Sequence, residues 1–311
     1  MGELFALGGA VLWASSSIFA RKAQIRGEHS ADAGVFLSLV VNCCLNILAL
    51  AAVILISGPI SLNWQGIMMF AGAGLFNTFL GRLLYVHSIN LVGASRAGGL
   101  KGLSPFVVVL GGIVLLSEKV STVDGIGIAV LLSGVIGITV DSMKRGDRLY
   151  HDKDDILDAQ ETAVVKKKLK AGILIGVFSA VFFGAGNLFR KAGLTYIPSP
   201  FVGSSVGALT SILFFTSFML ARGQTGSIKK ILRHPDPNYA LFGVCSACAL
   251  FCVFLCLNLI PVTVGNSILT TEPVFTMIFS MMMLGKRDAV GKLTALGCFL
   301  IMAGAMILII F

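Results

Sequence analysis

DSMKRGDRLYHDKDDILDAQETAVVKKKLK, residues Asp141–Lys170, holds eight Lys or Arg and seven Asp or Glu in a chain whose charged content is only 13%. Long apolar sequence lies on either side, and the two flanks repeat each other. Phe19-Ala20-Arg21-Lys22-Ala23 returns as Leu188-Phe189-Arg190-Lys191-Ala192 at an offset of 169. Asn90 returns as Asn258, and Ser104-Pro105 as Glu272-Pro273, both at an offset of 168. Ser117-Glu118-Lys119 and Gly285-Lys286-Arg287 close matching apolar runs. Agreement within one residue over that distance marks an internal duplication. The reading is residues 1–140 as a first repeat, 141–170 as a charged spacer and 171–311 as a second repeat.

Composition decides the solvent. At 56% hydrophobic residues and mean hydropathy +0.91, the chain has more apolar surface than a soluble core could hide. Lipid is required, and only helices or closed barrels satisfy the backbone there. The apolar runs are continuous and do not alternate, which selects helices. The net charge of +9 sits between apolar runs, as cytoplasmic loops facing anionic lipid do, and no nucleic-acid-binding signature accompanies it. The seven cysteines all fall in apolar segments and give no disulfide framework.

Five spans are expected in the first repeat: Leu4–Ala20, Ala33–Ile56, Ile67–Ile89, Ser95–Leu116 and Val123–Val140. Five more follow: Ala171–Phe189, Phe201–Ala221, Tyr239–Leu259, Thr263–Leu284 and Val290–Phe311. The first lacks the basic n-region and cleavage site of a removable signal, so it is read as a helix. The expected fold is all-α and polytopic, with ten transmembrane helices. Because five is odd, the second set enters the membrane from the opposite side, which makes an inverted repeat. Loops after helices one, five, seven and nine carry seventeen Lys or Arg against Lys119, Arg190 and Lys191 on the other face. The positive-inside rule then puts the spacer in the cytoplasm and both termini outside.

Trp13-Ala14 with Arg21 at the end of the first helix, Pro105 followed by Leu115-Leu116-Ser117-Glu118, and Pro273 followed by Leu284-Gly285-Lys286 carry a family resemblance. The chain resembles the EamA family of the drug/metabolite transporter superfamily over essentially its whole length outside the spacer. The family typically has Trp-Gly in the first helix and Gly-Glu closing the fourth; this chain departs at Ala14, Ser117 and Lys286. The resemblance implies a ten-helix carrier with a central cavity lined mainly by helices one, three, four and their counterparts. It does not name a substrate.

Ionisable groups inside membrane helices are costly unless they face a cavity or a partner. Lys101, nearly two turns into helix four, and Glu272, placed mid-helix nine, are the foremost candidates. Repeat alignment sets Lys101 and Glu272 at similar depth on facing helices, where they could pair. Arg82 either lines the cavity or snorkels to the helix end, and Arg96 is read as interfacial. Tyr85 lies near Arg82, and Trp13 is too deep for an interfacial belt. Asn77, Asn187 and Asn266 suit solute contacts or helix-joining hydrogen bonds equally. Pro105 and Pro273 are expected to kink helices four and nine. Cys245, Cys248, Cys252 and Cys256 form a stripe read as packing, with no metal expected. Ala129, Ser133 and Gly137 read as a close-packing ridge, and His87 as structural.

These residues point to a secondary carrier, most simply an exporter, of a small polar or amphipathic metabolite by alternating access. A net positive cavity favours an anionic or zwitterionic, amino-acid-like solute. No Walker sequence appears, and no cofactor or nucleic-acid partner is expected. Proton coupling through Glu272 and facilitated diffusion fit equally, and the number of subunits is left open. A multi-pass cell-membrane location, with a bacterial plasma membrane favoured, completes the expectation. The alternatives are an uptake or lipid-precursor carrier of the same fold, or a membrane-embedded enzyme. For the enzyme the loops offer only His151 with Asp152, Asp154 and Asp155.

Overall fold

The computed structural model describes residues 1–92, 97, 100–154, 159–284 and 292–310. Ser95, Arg96, Asp155 and Gly285-Lys286-Arg287 lie outside the described residues. Thirteen helices are described: α1 (Gly2–Arg26), α2 (Ala31–Ser57), α3 (Trp64–Ala73), α4 (Arg82–Val92), α5 (Ser104–Leu115), α6 (Thr122–Asp154), α7 (Ala159–Tyr196), α8 (Pro200–Ala221), α9 (Thr225–Arg233), α10 (Pro237–Leu259), α11 (Val262–Leu269), α12 (Glu272–Leu284) and α13 (Lys292–Ile310). A π-helical segment, Gly74–Gly81, joins α3 to α4. Local chemistry sets several ends. The Ser30 and Ser199 hydroxyls accept from Ala33 N and Val202 N, and Asp236 accepts from Asn238 N. Gly27 ends α1 at φ 68°, a left-handed conformation that glycine adopts without a side-chain clash.

Eight of the described helical stretches are long and apolar enough to cross a membrane. The expected ninth span is not among them because it is broken, and the expected fourth, of which residues 95–96 and 98–99 lie outside the described residues, is interrupted as well. The chain turns at Gly102-Leu103 before α5, and at Thr270-Thr271 between α11 and α12. Pro105 and Pro273 therefore stand at the start of a new helix and do not kink a continuous one. Proline is well suited to a first turn, where its missing N–H has no partner to lose. The same correction moves Glu272 from mid-helix to the first turn of α12 and Lys101 to the last residue before the break.

Much of the charged spacer is helical: α6 runs on to Asp154 and α7 starts at Ala159. Ala, Lys, Glu and Leu dominate its second half, and all are strong helix formers. Asp141 is fixed at its start by the Thr294 hydroxyl of α13.

Packing couples the two halves throughout. Helix α1 lies on α10, α11 and α12, while its counterpart α7 lies on α3, the π-helical segment, α4 and α5. The remaining contacts include α2 with α8, α5 with α11, and α6 with α13. The α6–α13 pair approaches through Gly134, Gly297, Gly127 and Gly304. A Cβ on Gly134 would meet Gly297 O at 2.5 Å, and one on Gly304 would meet Gly127 O at 2.6 Å. The expected ridge is thus displaced around the helix: Ala129 and Ser133 are exposed, and of that trio only Gly137 faces α13. The cysteine stripe packs at Cys252, which faces Gly8 and Gly9 of α1.

Candidate functional site

The two helix breaks face each other. Lys101 Nζ lies 3.7 Å from Glu272 Oε1, with both side chains partly exposed. The carboxylate sits in the first turn of α12, the helix end that favours it. Aromatic faces complete the surroundings: Nζ is 5.8 Å from the Tyr85 ring and 5.4 Å from the Phe183 ring. The separation is that of an ion pair looser than a well-made hydrogen bond.

Arg82, one helical turn before Tyr85, does not snorkel. Its guanidinium lies 5.4 Å from the Phe242 ring, and the residue lines a small cavity of mixed character, with Ser38, Asn42, Thr78 and Ser246 beside Leu39, Ala208 and Leu250, that also touches Trp13. The cavity admits water but is too narrow for a metabolite.

Arg190 reaches the same cavity from α7. Sequence reading had counted it as a loop residue, yet it is only 5% exposed. It donates through Nη1 to Asn187 Oδ1 at 2.7 Å and through Nη2 to Asn77 Oδ1 at 3.1 Å, and lies 5.6 Å from the Phe254 ring. Asn187 Nδ2 donates in turn to Asn266 Oδ1 at 2.6 Å, and Asn77 Nδ2 to Phe183 O at 2.9 Å. The three asparagines predicted from sequence thus form one network across α7, α11 and the π-helical segment, with Arg190 at its centre. The available signal was the uncharged run Ala192–Ile197, which carries the helix past Arg190-Lys191.

The family model for the EamA-like transporter family matches residues 1–140 and again residues 170–310. The chain belongs to the EamA-like transporter family. It is a multi-pass membrane protein of transporter type. The EamA-like chain also superposes on a protein of known crystal structure with TM-score 0.70 at 16% identity, covering 99% of this chain and 97% of that one. At that identity the likeness establishes the fold alone. No curated protein matches the sequence.

Two further residues of this EamA-like chain escaped sequence reading. Glu118 accepts from Val262 N at 2.7 Å, Thr263 N at 3.0 Å and Thr263 Oγ1 at 2.9 Å, so a first-half carboxylate caps α11 of the second half. Lys191 Nζ donates to Leu257 O at 2.7 Å and Ile260 O at 2.8 Å, capping the C-terminal end of α10. Ser117, beside Glu118, is the only non-glycine residue with positive φ among the described residues, at 53°. His87 meets Arg222 Nη2 at 3.3 Å.

Proposed function

We propose that the chain is a secondary carrier that moves a small anionic or zwitterionic, amino-acid-like metabolite by alternating access. In this reading the two half-helices of each broken span count as one, which gives ten spans in two inverted halves, residues 1–140 and 171–311. The spacer 141–170 faces the cytoplasm and export is the favoured direction. The observation that carries the proposal is the Lys101–Glu272 pair, held at equivalent helix breaks of the two halves. Discontinuous helices at corresponding positions are a feature of secondary-transporter binding sites. A solute bearing its own charges parts the pair and takes up both partners, so burial of Lys101 and Glu272 stays compensated through the cycle. Tyr85 and Trp13 offer aromatic faces on the path, and Arg82 adds positive charge. Asn77, Asn187 and Asn266 tie the helices in the narrow state and become solute contacts when it opens.

The test is uptake into liposomes by the parent, Glu272→Gln, Lys101→Met and the double variant, across pH. Each single variant is expected to lose transport by at least tenfold while still inserting. Proton coupling would appear as dependence on an imposed pH gradient that Glu272→Gln abolishes. Wild-type rates from both single variants at every pH would remove the site assignment.

A lipid-precursor carrier of the same fold is the second reading. An apolar groove beside the Lys101 break, lined by Leu103, Phe106, Val107, Ile136, Val177 and Val181, favours it. Competition by soluble amino acids separates the two, since only the first reading expects it.

A further inference from the structure

We propose that Arg82, Arg190 and Ser246 form a binding site for a compact monoanion, no larger than a carboxylate group, distinct from the Lys101–Glu272 pair. Both arginines line one cavity whose other polar lining is Trp13, Ser38, Asn42, Thr78 and Ser246, with no carboxylate in its wall. Among the described residues no Asp or Glu forms an ion pair with either arginine. Arg82 is compensated by the Phe242 ring, and Arg190 commits one N–H to each of two asparagines out of its five. Two cations held this close to apolar helices without a counter-charge are costly, and an anion between them removes that cost.

Ser246 supplies an independent sign. It is 4% exposed, its Oγ has no hydrogen-bond partner, and it lines this cavity. A buried hydroxyl without a partner is uncommon and points to a group that belongs there. Asn42 adds to the donor character: its Oδ1 already accepts from Asn46 Nδ2 at 3.1 Å, which leaves its own N–H groups to serve the cavity. The narrowness that excludes a metabolite fits a halide or the carboxylate end of a longer molecule. Planar guanidinium donors suit both.

The chain carries its own reporter. Of its two tryptophans, Trp13 borders the cavity and Trp64 is 71% exposed. The full chain with Trp64→Phe, purified in detergent and held at constant ionic strength with sodium sulfate, whose dianion is neither a halide nor a carboxylate, is titrated with sodium bromide while Trp13 fluorescence is followed. Saturable quenching is expected. Displacement by chloride alone identifies a free inorganic anion, and displacement by acetate identifies a carboxylate site. Arg82→Gln is expected to leave only the linear, collisional component. Ser246→Ala keeps both guanidiniums and is expected to weaken the saturable component about threefold to tenfold. Three results would overturn the proposal: linear quenching in the parent, saturable quenching that neither chloride nor acetate displaces, or parent affinity in every variant that folds. Because binding is read without solute movement, failure of the carrier reading leaves this result standing.

Discussion

Glu118 binds the first turn of α11 through both carboxylate oxygens, and a charged acceptor at a helix N-terminus is worth more than a neutral one. Glu118→Ala is therefore expected to cost about 1–3 kcal/mol. It should appear as a lower unfolding temperature in detergent, with Glu118→Gln falling between the two. An unchanged unfolding temperature in Glu118→Ala would show the cap to be dispensable. In sequence, Glu118 was visible only as part of a fold-marking motif, because its partners Val262 and Thr263 are 144 and 145 residues away. Arg190 was hidden for a different reason. Paired with Lys191 it reads as a helix end, and the Phe254 face, the Asn77 oxygen from a distant segment and the Asn187 oxygen one turn back on its own helix make its burial tolerable. The pairing of Lys101 with Glu272 was legible, because repeat alignment sets equivalent depths and two opposite charges in lipid seek each other.

Elements that depend on local periodicity were read well, and those that depend on backbone interruption were not. Eight apolar stretches stand as long helices near their expected positions, whereas the fourth and ninth are split. Nothing in Lys101-Gly102-Leu103-Ser104-Pro105 says whether proline bends a helix or opens the next one. The small-residue ridge on α6 was legible as a kind of surface but was assigned to a face about one residue off. That difference gives a controlled experiment. Gly134→Leu forces a side chain into Gly297 O and Ile301, and is expected to destabilise the α6–α13 pair by several kcal/mol or to abolish recovery of the protein. Ser133→Leu, one position away on the exposed face, should be neutral in the same thermal measurement. Equal effects of the two substitutions would contradict the packing described.

At the scale of the molecule, orientation rests on basic residues near the helix ends. Arg190 leaves that count because it is buried, which strengthens the asymmetry already read from the loops. A reporter fused after Phe311 is expected to be active only outside the cytoplasm; cytoplasmic activity would reverse the orientation. Duplication was plain in the sequence, but the way the copies embrace was not, since no residue pattern within one half records what the other half presents. Ser88 donates to Gly172 O at 2.9 Å, Ser179 to Gly81 O at 2.8 Å and Ser205 to Asn46 O at 2.9 Å, so each half finishes the other's polar surface. This has a bearing on biogenesis. While the chain is still being synthesised, the helices of residues 1–140 enter the bilayer with many of their neighbours not yet translated, and Asn77 and Lys101 await partners that emerge only after the spacer. The newborn first half must be sheltered, by lipid, water or the insertion machinery, until α7 arrives and assembly can begin.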